Sequence, residues 1–227
     1  MGMPQASSTK PALIFDLDGT LFQAETLFLP AFQMLFDELH ATGRYCDGMP
    51  SADVLLGGLG YPFTVIWQRV LPNATDEVRN FANSRMVEIQ KLLLAQGIGS
   101  LYDGVHETLA TLCSRGHRLF VASNGMEAYV KSVIAAMNLA PLFEALYSAG
   151  EYCTESKVDL VLMLLQHHHV TSAVMIGDRA SDVEAGIEND LPVVGCDYSD
   201  FGKTSELDGS TYRIRSVREL LTLPLAT

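Results

Sequence analysis

The stretch Ala12-Leu13-Ile14-Phe15-Asp16-Leu17-Asp18-Gly19-Thr20-Leu21 is a short apolar run that ends in two acids and a glycine. An apolar run without alternation fits a strand buried on both faces, as in a parallel sheet. Open α/β sheets bind ligands outside the C-terminal edge of their strands, so Asp16 and Asp18 arrive where a site belongs. Leu17 separates the two acids, yet a sharp turn at Gly19 can aim both into one pocket. Carboxylates held together repel unless a cation, a proton or hydrogen bonds offset them, and burying such a pair without partners is costly. On this stretch alone, two solvated acids before a turn fit equally well; the rest of the chain decides between the readings.

Beyond Leu21 the pattern turns helical. Ala24 to His40 carries Leu27, Ala31, Leu35 and Leu39 at steps of four, and Pro30 inside that span predicts that the regular helix starts there. Tyr61–Leu71 and Thr75–Ala95 read as further helices, the second capped by Thr75 or Asn73 with Asp76 and Glu77 in its first turn. Residues 22–99 thus form a helical block without strands that closes at Gln96-Gly97-Ile98-Gly99-Ser100.

From Leu101 onward helices and strands alternate. The pattern predicts helices over Val105–Cys113, Met126–Met137, Lys157–His167, Ser181–Glu188 and Val217–Leu221. It predicts strands over Arg118–Ala122, Ala145–Ser148, Ala173–Ile176, Pro192–Gly195 and Thr211–Ile214. The expected fold is a Rossmann-like three-layer α/β core, residues 1–21 and 100–227, around a mostly parallel sheet, interrupted by an inserted all-helical cap, residues 22–99. An insertion after the first strand sits above that strand's C-terminal edge, where a lid belongs.

The 227 residues can bury a full core as one large domain or two small ones. Hydrophobic residues make up 48% and charged residues 19%, which suits a globular chain. With 27 acidic and 15 basic residues the formal net charge is −12, which argues against nucleic acid or an anionic membrane as partner. Any phosphate site must then be built locally from a metal, backbone N–H groups and a few cations. No apolar run approaches the ~20 residues that span a bilayer, and Met1 to Pro11 lacks the hydrophobic core of a signal peptide. Cys46, Cys113, Cys153 and Cys196 show no paired spacing, as expected of reduced cytoplasmic thiols rather than a zinc site.

Three further strand ends match the first. Phe120-Val121-Ala122 runs into Ser123-Asn124-Gly125, an anion cradle at a strand-to-helix turn or an ordinary helix cap. Val174-Met175-Ile176 runs into Gly177-Asp178, with Asp182 four residues on; the two acids suit a hard cation or cap a helix start. Lys157 follows Ser156 at the start of a helix, a poor place for a cation against the helix dipole unless it faces an anion.

Together these residues resemble the haloacid dehalogenase superfamily of phosphohydrolases. Phe15-Asp16-Leu17-Asp18-Gly19-Thr20-Leu21 is similar to its first motif and Ser123-Asn124-Gly125 to its second. Lys157 resembles the third, and Gly177-Asp178 with Asp182 the fourth, in matching order over almost the whole chain. Tyr102-Asp103-Gly104-Val105 resembles the return from a helical cap. In overall plan the chain is most like the phosphoglycolate phosphatases, down to a stretch after the fifth strand comparable to Gly195-Cys196-Asp197-Tyr198.

The resemblance implies an Mg²⁺-dependent phosphatase acting on a small phosphorylated metabolite. Asp16 would attack phosphorus to form an aspartyl-phosphate, and Asp18 would act as general acid and then base. Mg²⁺ would bind Asp16, the backbone carbonyl of Asp18 and Asp178, with Asp182 directly or through water. Ser123, Asn124 and Lys157 would hold the phosphoryl oxygens. Gly19 would permit the turn and Thr20 would orient Asp18. The acid at position 18 favours phosphate monoesters over carbon–halogen or phosphonate substrates. A sugar phosphomutase of the same fold is the alternative enzyme, and a non-catalytic member the alternative from another class.

Other features carry less. Consecutive His167, His168 and His169 at a helix end point in different directions and suit a solvated cap better than a metal. Trp67 with Phe63 and Tyr61 fits the core of the helical block, and Arg69 and Arg85 fit its solvated face.

Overall fold

In the computed structural model, which describes residues 10–58, 63–199 and 204–225, the opening apolar run forms β1 (Ala12–Phe15), buried along its length. A short strand, β2 (Phe22–Gln23), leads into α1 (Glu25–Ala41), α2 (Ala52–Leu56), α3 (Phe63–Val70) and α4 (Asp76–Ala95). The hydroxyl oxygen of Thr75 accepts the Val78 N–H and caps α4. The chain returns through β3 (Ser100–Leu101), which pairs antiparallel with β2. Then α5 (Val105–Ser114), β4 (Leu119–Ser123), α6 (Glu127–Ala136) and β5 (Ala145–Ser148) alternate. They are followed by α7 (Ala149–Tyr152), α8 (Lys157–His167), β6 (Ala173–Gly177), α9 (Ala180–Glu188), β7 (Val193–Cys196) and β8 (Tyr212–Ile214).

Six strands form one sheet in the order β5-β4-β1-β6-β7-β8, with every neighbouring pair parallel. From β1 the chain re-enters the sheet at β4; from β6 it re-enters at β7, on the opposite side. The connections therefore diverge between β1 and β6, and that divergence opens the crevice where α/β sheets take ligands. Alternate strand residues serve opposite faces. Leu13, Phe15, Val174 and Ile176 pack with Leu109 of α5 and Val130 of α6. Ala12, Ile14 and Met175 pack with Leu160 and Leu164 of α8 and Val183 of α9. The result is a helix–sheet–helix sandwich.

The first of these apolar clusters continues through Leu17, Leu21 and Phe22 into Phe28, Phe32 and Leu35 of α1 and Met86 and Ile89 of α4. Its continuity explains one departure from the sequence reading: α1 does not begin at Pro30 but runs through it from Glu25. The buried stripe Leu27, Phe28, Ala31, Phe32 and Leu35 outweighs the single missing hydrogen bond, and Pro30 lies on the exposed side of the helix. Residues 22–99 are likewise not purely helical. Phe22 and Gln23 pair with Leu101 and Ser100 where the two chain crossings run side by side, and the Gln23 side-chain amide donates to the Leu101 carbonyl at 2.7 Å. The closing segment Val217–Leu221 is a 3₁₀ helix. The predicted helix start at Tyr61 lies outside the described residues.

Gly186 shows how closely α9 approaches the sheet, since a Cβ there would run into Val193 Cγ2 of β7. Glycine to alanine inside a helix ordinarily stabilises by ~1 kcal/mol. Here overpacking reverses the sign, and Gly186→Ala is expected to lower stability by about 1–3 kcal/mol in urea unfolding. A gain in stability would mean the approach is loose.

Candidate active site

Asp16 leaves β1 with its backbone N–H still bonded to Ile176 of β6 at 2.8 Å, so its position is set by the sheet. The chain then turns at Gly19, which adopts φ +80. A Cβ at Gly19 would run into Asp178 Oδ2, and one at Gly177 into the Asp182 carboxyl. The two glycines thus let backbone approach carboxylate from both strands. Asp182 accepts the Arg179 N–H at 3.0 Å and so caps α9. Lys157 opens α8, whose start is capped by Ser156 accepting the Asp159 N–H at 3.1 Å. Its ammonium lies 2.7 Å from Asp16 Oδ1 and 2.5 Å from Asp182 Oδ1.

The cluster is dry. Asp16 is 6%, Lys157 4%, Asp178 1% and Asp182 0% exposed, so nothing but neighbours can balance these charges. Burial, eased by Lys157 and reinforced by Asp182, pushes the Asp16 carboxyl up to about 6. Burial together with Asp16 and Asp182 raises Asp178 well above the usual carboxylate range. For Lys157 burial works against the ammonium, but Asp16 and Asp182 outweigh it and hold the proton on. Asp18 is only half-buried by area, yet withdrawal of its carboxyl from water pushes it up to about 7, against the Tyr129 hydrogen bond and with the help of Asp16.

One carboxylate oxygen from each of Asp16, Asp178 and Asp182 lies within 4.8 Å of the others. Asp178 Oδ2 is buried without a hydrogen-bond partner. Three hard oxygen donors, one of them unsatisfied, against a single ammonium fit a divalent cation of the Mg²⁺ type.

The sequence-predicted residues converge as follows. Asp16, Lys157, Asp178 and Asp182 meet directly. Ser123 ends β4, the neighbour of β1, and its buried hydroxyl accepts the Gly125 N–H at 3.1 Å; Asn124 lies in the same turn. Thr20 differs from expectation, because its hydroxyl donates to Asp178 Oδ1 at 3.2 Å rather than orienting Asp18. The partner of Asp18 is Tyr129 of α6, whose hydroxyl donates to Asp18 Oδ1 at 2.5 Å. Sequence reasoning missed Tyr129, which fell unremarked inside the helix predicted over Met126–Met137; the available signal was that a buried tyrosine hydroxyl requires a partner. It also missed the contact of Tyr198, whose hydroxyl donates to the Thr20 carbonyl at 2.7 Å.

The lesser features resolve structurally. Trp67 is buried against Phe32, and its indole N–H donates to Asn83. Arg69 donates to the Gly57 carbonyl, and Arg85 pairs with Glu38 and Glu88. His167 meets the Tyr147 hydroxyl and His168 meets Glu144, so the run divides among separate partners. Tyr61 and the Phe63 side chain lie outside what is described.

Asp18 gives a signed pH prediction. Its folded value near 7 exceeds the ordinary 3.8, so on raising pH the unfolded chain loses the proton first. The Asp18 contribution therefore turns unfavourable between about pH 4 and about pH 7. In chelator, unfolding of wild type and Asp18→Asn compared across that range should show the variant gaining on wild type as pH rises. A constant difference would contradict the raised value.

The family model for haloacid dehalogenase-like hydrolases matches residues 13–196. The pyrophosphatase PpaX of Listeria monocytogenes is 25% identical over 178 residues, 77% of each chain. A 5′-nucleotidase of Pseudomonas aeruginosa is 25% identical over 214 residues, 90% of each chain. Among solved structures, a predicted phosphoglycolate phosphatase from Haemophilus somnus superposes with a TM-score of 0.80 at 19% identity, covering 95% of this chain and 98% of that one. Among the described residues, no helix is long and apolar enough to cross a membrane. The matched span runs from β1 to the end of β7 and contains every charged group of the crevice: the chain belongs to the haloacid dehalogenase-like hydrolase family and is a phosphatase of that family.

Proposed function

We propose that this chain is an Mg²⁺-dependent phosphatase that hydrolyses a small phosphate monoester through an aspartyl-phosphate on Asp16. The observation that carries the reading is the meeting of Asp16, Lys157, Asp178 and Asp182 in one buried cluster at the β1–β6 divergence, with Asp18 beside it. An Asp16 oxygen attacks phosphorus while the bond to the leaving oxygen breaks. Asp18 gives that oxygen a proton, then takes one from the water that attacks the phosphorus and releases Asp16. A carboxyl whose value lies near 7 can do both near neutral pH. Lys157, Ser123 and the N–H of Asn124 hold the phosphoryl oxygens and meet the charge that builds in the transition state.

Asp16, Asp178 and the Asp18 carbonyl would hold the cation, which lets an anionic nucleophile approach an anionic phosphate. Asp182, which also holds Lys157 and the Arg179 N–H, would join them directly or through water. Residues 22–99 act on this reading as a lid joined to the core at β2 and β3. The glycines Gly97 and Gly99 beside that ribbon have φ +78 and +113, backbone states open to glycine at little cost. Closure would exclude water from the phosphate and give the lid the choice of substrate.

Two measurements test the chemistry. Asp16→Asn should fold with an unchanged far-ultraviolet spectrum and lose turnover of p-nitrophenyl phosphate by at least about 10³-fold; near-normal turnover would rule out a covalent Asp16. Exhaustive chelation should abolish turnover of the wild type, with Mg²⁺ restoring it. Ca²⁺ should bind but restore little, because its longer, more numerous ligand bonds misplace the nucleophile. Full activity in chelator would remove the metal from the mechanism.

A further inference from the structure

Tyr129 has no part in the mechanism above, yet among the described residues it is the side chain that hydrogen-bonds Asp18. It lies in the first turn of α6 and is 6% exposed. Its ring is seated from two sides. From α1 the ring of Phe28 approaches to 5.4 Å between centroids at 57°. In the turn after β4, Gly125 leaves the space the ring needs: a Cβ there would sit 3.1 Å from Tyr129 Cδ1. The Gly125 N–H is itself held by Ser123 Oγ. A ring fixed in this way fixes its hydroxyl, and that hydroxyl donates to Asp18 Oδ1.

We propose that Tyr129 is a positioning residue for proton transfer: its hydroxyl anchors Asp18 by Oδ1 and leaves Oδ2 alone to exchange the proton. The proposal rests on the acid–base reading of Asp18. In the first half-reaction the Oδ2 proton passes to the leaving oxygen as the bond from phosphorus to that oxygen breaks and the Asp16–phosphorus bond forms. In the second, a water proton returns to Oδ2 as the water–phosphorus bond forms and Asp16 is released. Tyr129 keeps its own proton throughout. Its O–H dipole faces the carboxylate that each donation creates and needs no reorganisation to do so, which favours the charged product of the transfer. An unanchored carboxyl would rotate and divide its proton between two oxygens, only one of which faces the reacting bond. Because Phe28 belongs to α1, the seat of the ring also depends on where the helical segment lies.

The discriminating readout is the leaving group. Phenyl phosphate and p-nitrophenyl phosphate are close in shape, but the unsubstituted phenolate leaves poorly without a proton and the nitrophenolate leaves well. Values of kcat/KM with Mg²⁺ should be measured for wild type, Tyr129→Phe and Asp18→Asn. Tyr129→Phe keeps the ring and its contacts, so a purely structural loss would lower both substrates alike. The expected result is a fall for phenyl phosphate about threefold or more greater than for p-nitrophenyl phosphate, with Asp18→Asn showing the same selectivity more strongly. Equal losses, or none, in Tyr129→Phe beside a selective Asp18→Asn would overturn the role of Tyr129 and leave the acid–base reading standing. A non-selective Asp18→Asn would overturn both. Should Tyr129→Phe fail to fold, Phe28→Leu loosens the same ring and must show the same ordering at smaller size; equal losses there count against the proposal.

Discussion

The ammonium of Lys157, held between Asp16 and Asp182, is the contact on which the crevice depends. It ties the end of β1 to the starts of α8 and α9, three elements far apart in sequence. At ~4 Å and an effective dielectric of ~20, each such attraction is worth about 4 kcal/mol before desolvation, and desolvation takes most of that back. The gain is thus less in stability than in geometry. Without the ammonium, Asp16 and Asp182 would face each other and Asp178 with Arg179, which acts on Asp178, as the remaining opposing charge, and the buried cluster would have to expand, protonate or fill with a cation. Even with it, the raised positions of Asp16 and Asp178 show that one ammonium is not enough. The residual imbalance is what a divalent cation and then a phosphate can relieve.

Close approach of backbone makes this density of charge possible. Gly19 and Gly177 stand where any side chain would strike Asp178 or Asp182. The turn at Gly19 also carries Thr20, whose hydroxyl fixes Asp178, while the Thr20 carbonyl is held in turn by Tyr198. A motif that reads as two acids and a turn therefore also orients the third acid from another strand.

Much of this was legible in the sequence because local pattern and global fold agree. Ala145–Ser148 and Lys157–His167 form the predicted strand and helix over the predicted residues, since apolar runs bounded by glycine and capping residues leave little choice. The acids and the lysine were visible for a related reason: charge at the end of an apolar strand, or at the wrong end of a helix, demands an explanation. What was not legible was pairing across the chain. The hydroxyl of Thr20 reaches over 158 positions to Asp178, and that of Tyr129 over 111 to Asp18. Nothing within a few residues of either marks its partner. Pro30 misled for the converse reason: a local rule met a helix whose buried face was long enough to override it.

The commitments of the polar groups bear on where substrate selection resides. Lys157 engages Asp16 and Asp182, Thr20 engages Asp178, Tyr129 engages Asp18, and Ser123 engages the Gly125 N–H. These groups suit a cation, a phosphate and a travelling proton, which every phosphate monoester shares. They carry no reader for the organic part of a substrate. On the proposed mechanism discrimination then falls to side chains of α1 to α4, of which Phe28 already touches the ring that anchors Asp18. A substrate that shifts α1 would by the same contact shift the proton donor, so recognition of the leaving group and its protonation would be joined through one aromatic pair. Such a coupling makes selectivity a property of the chemical step as well as of binding, which is how an enzyme with a generic phosphate site can still discriminate among esters.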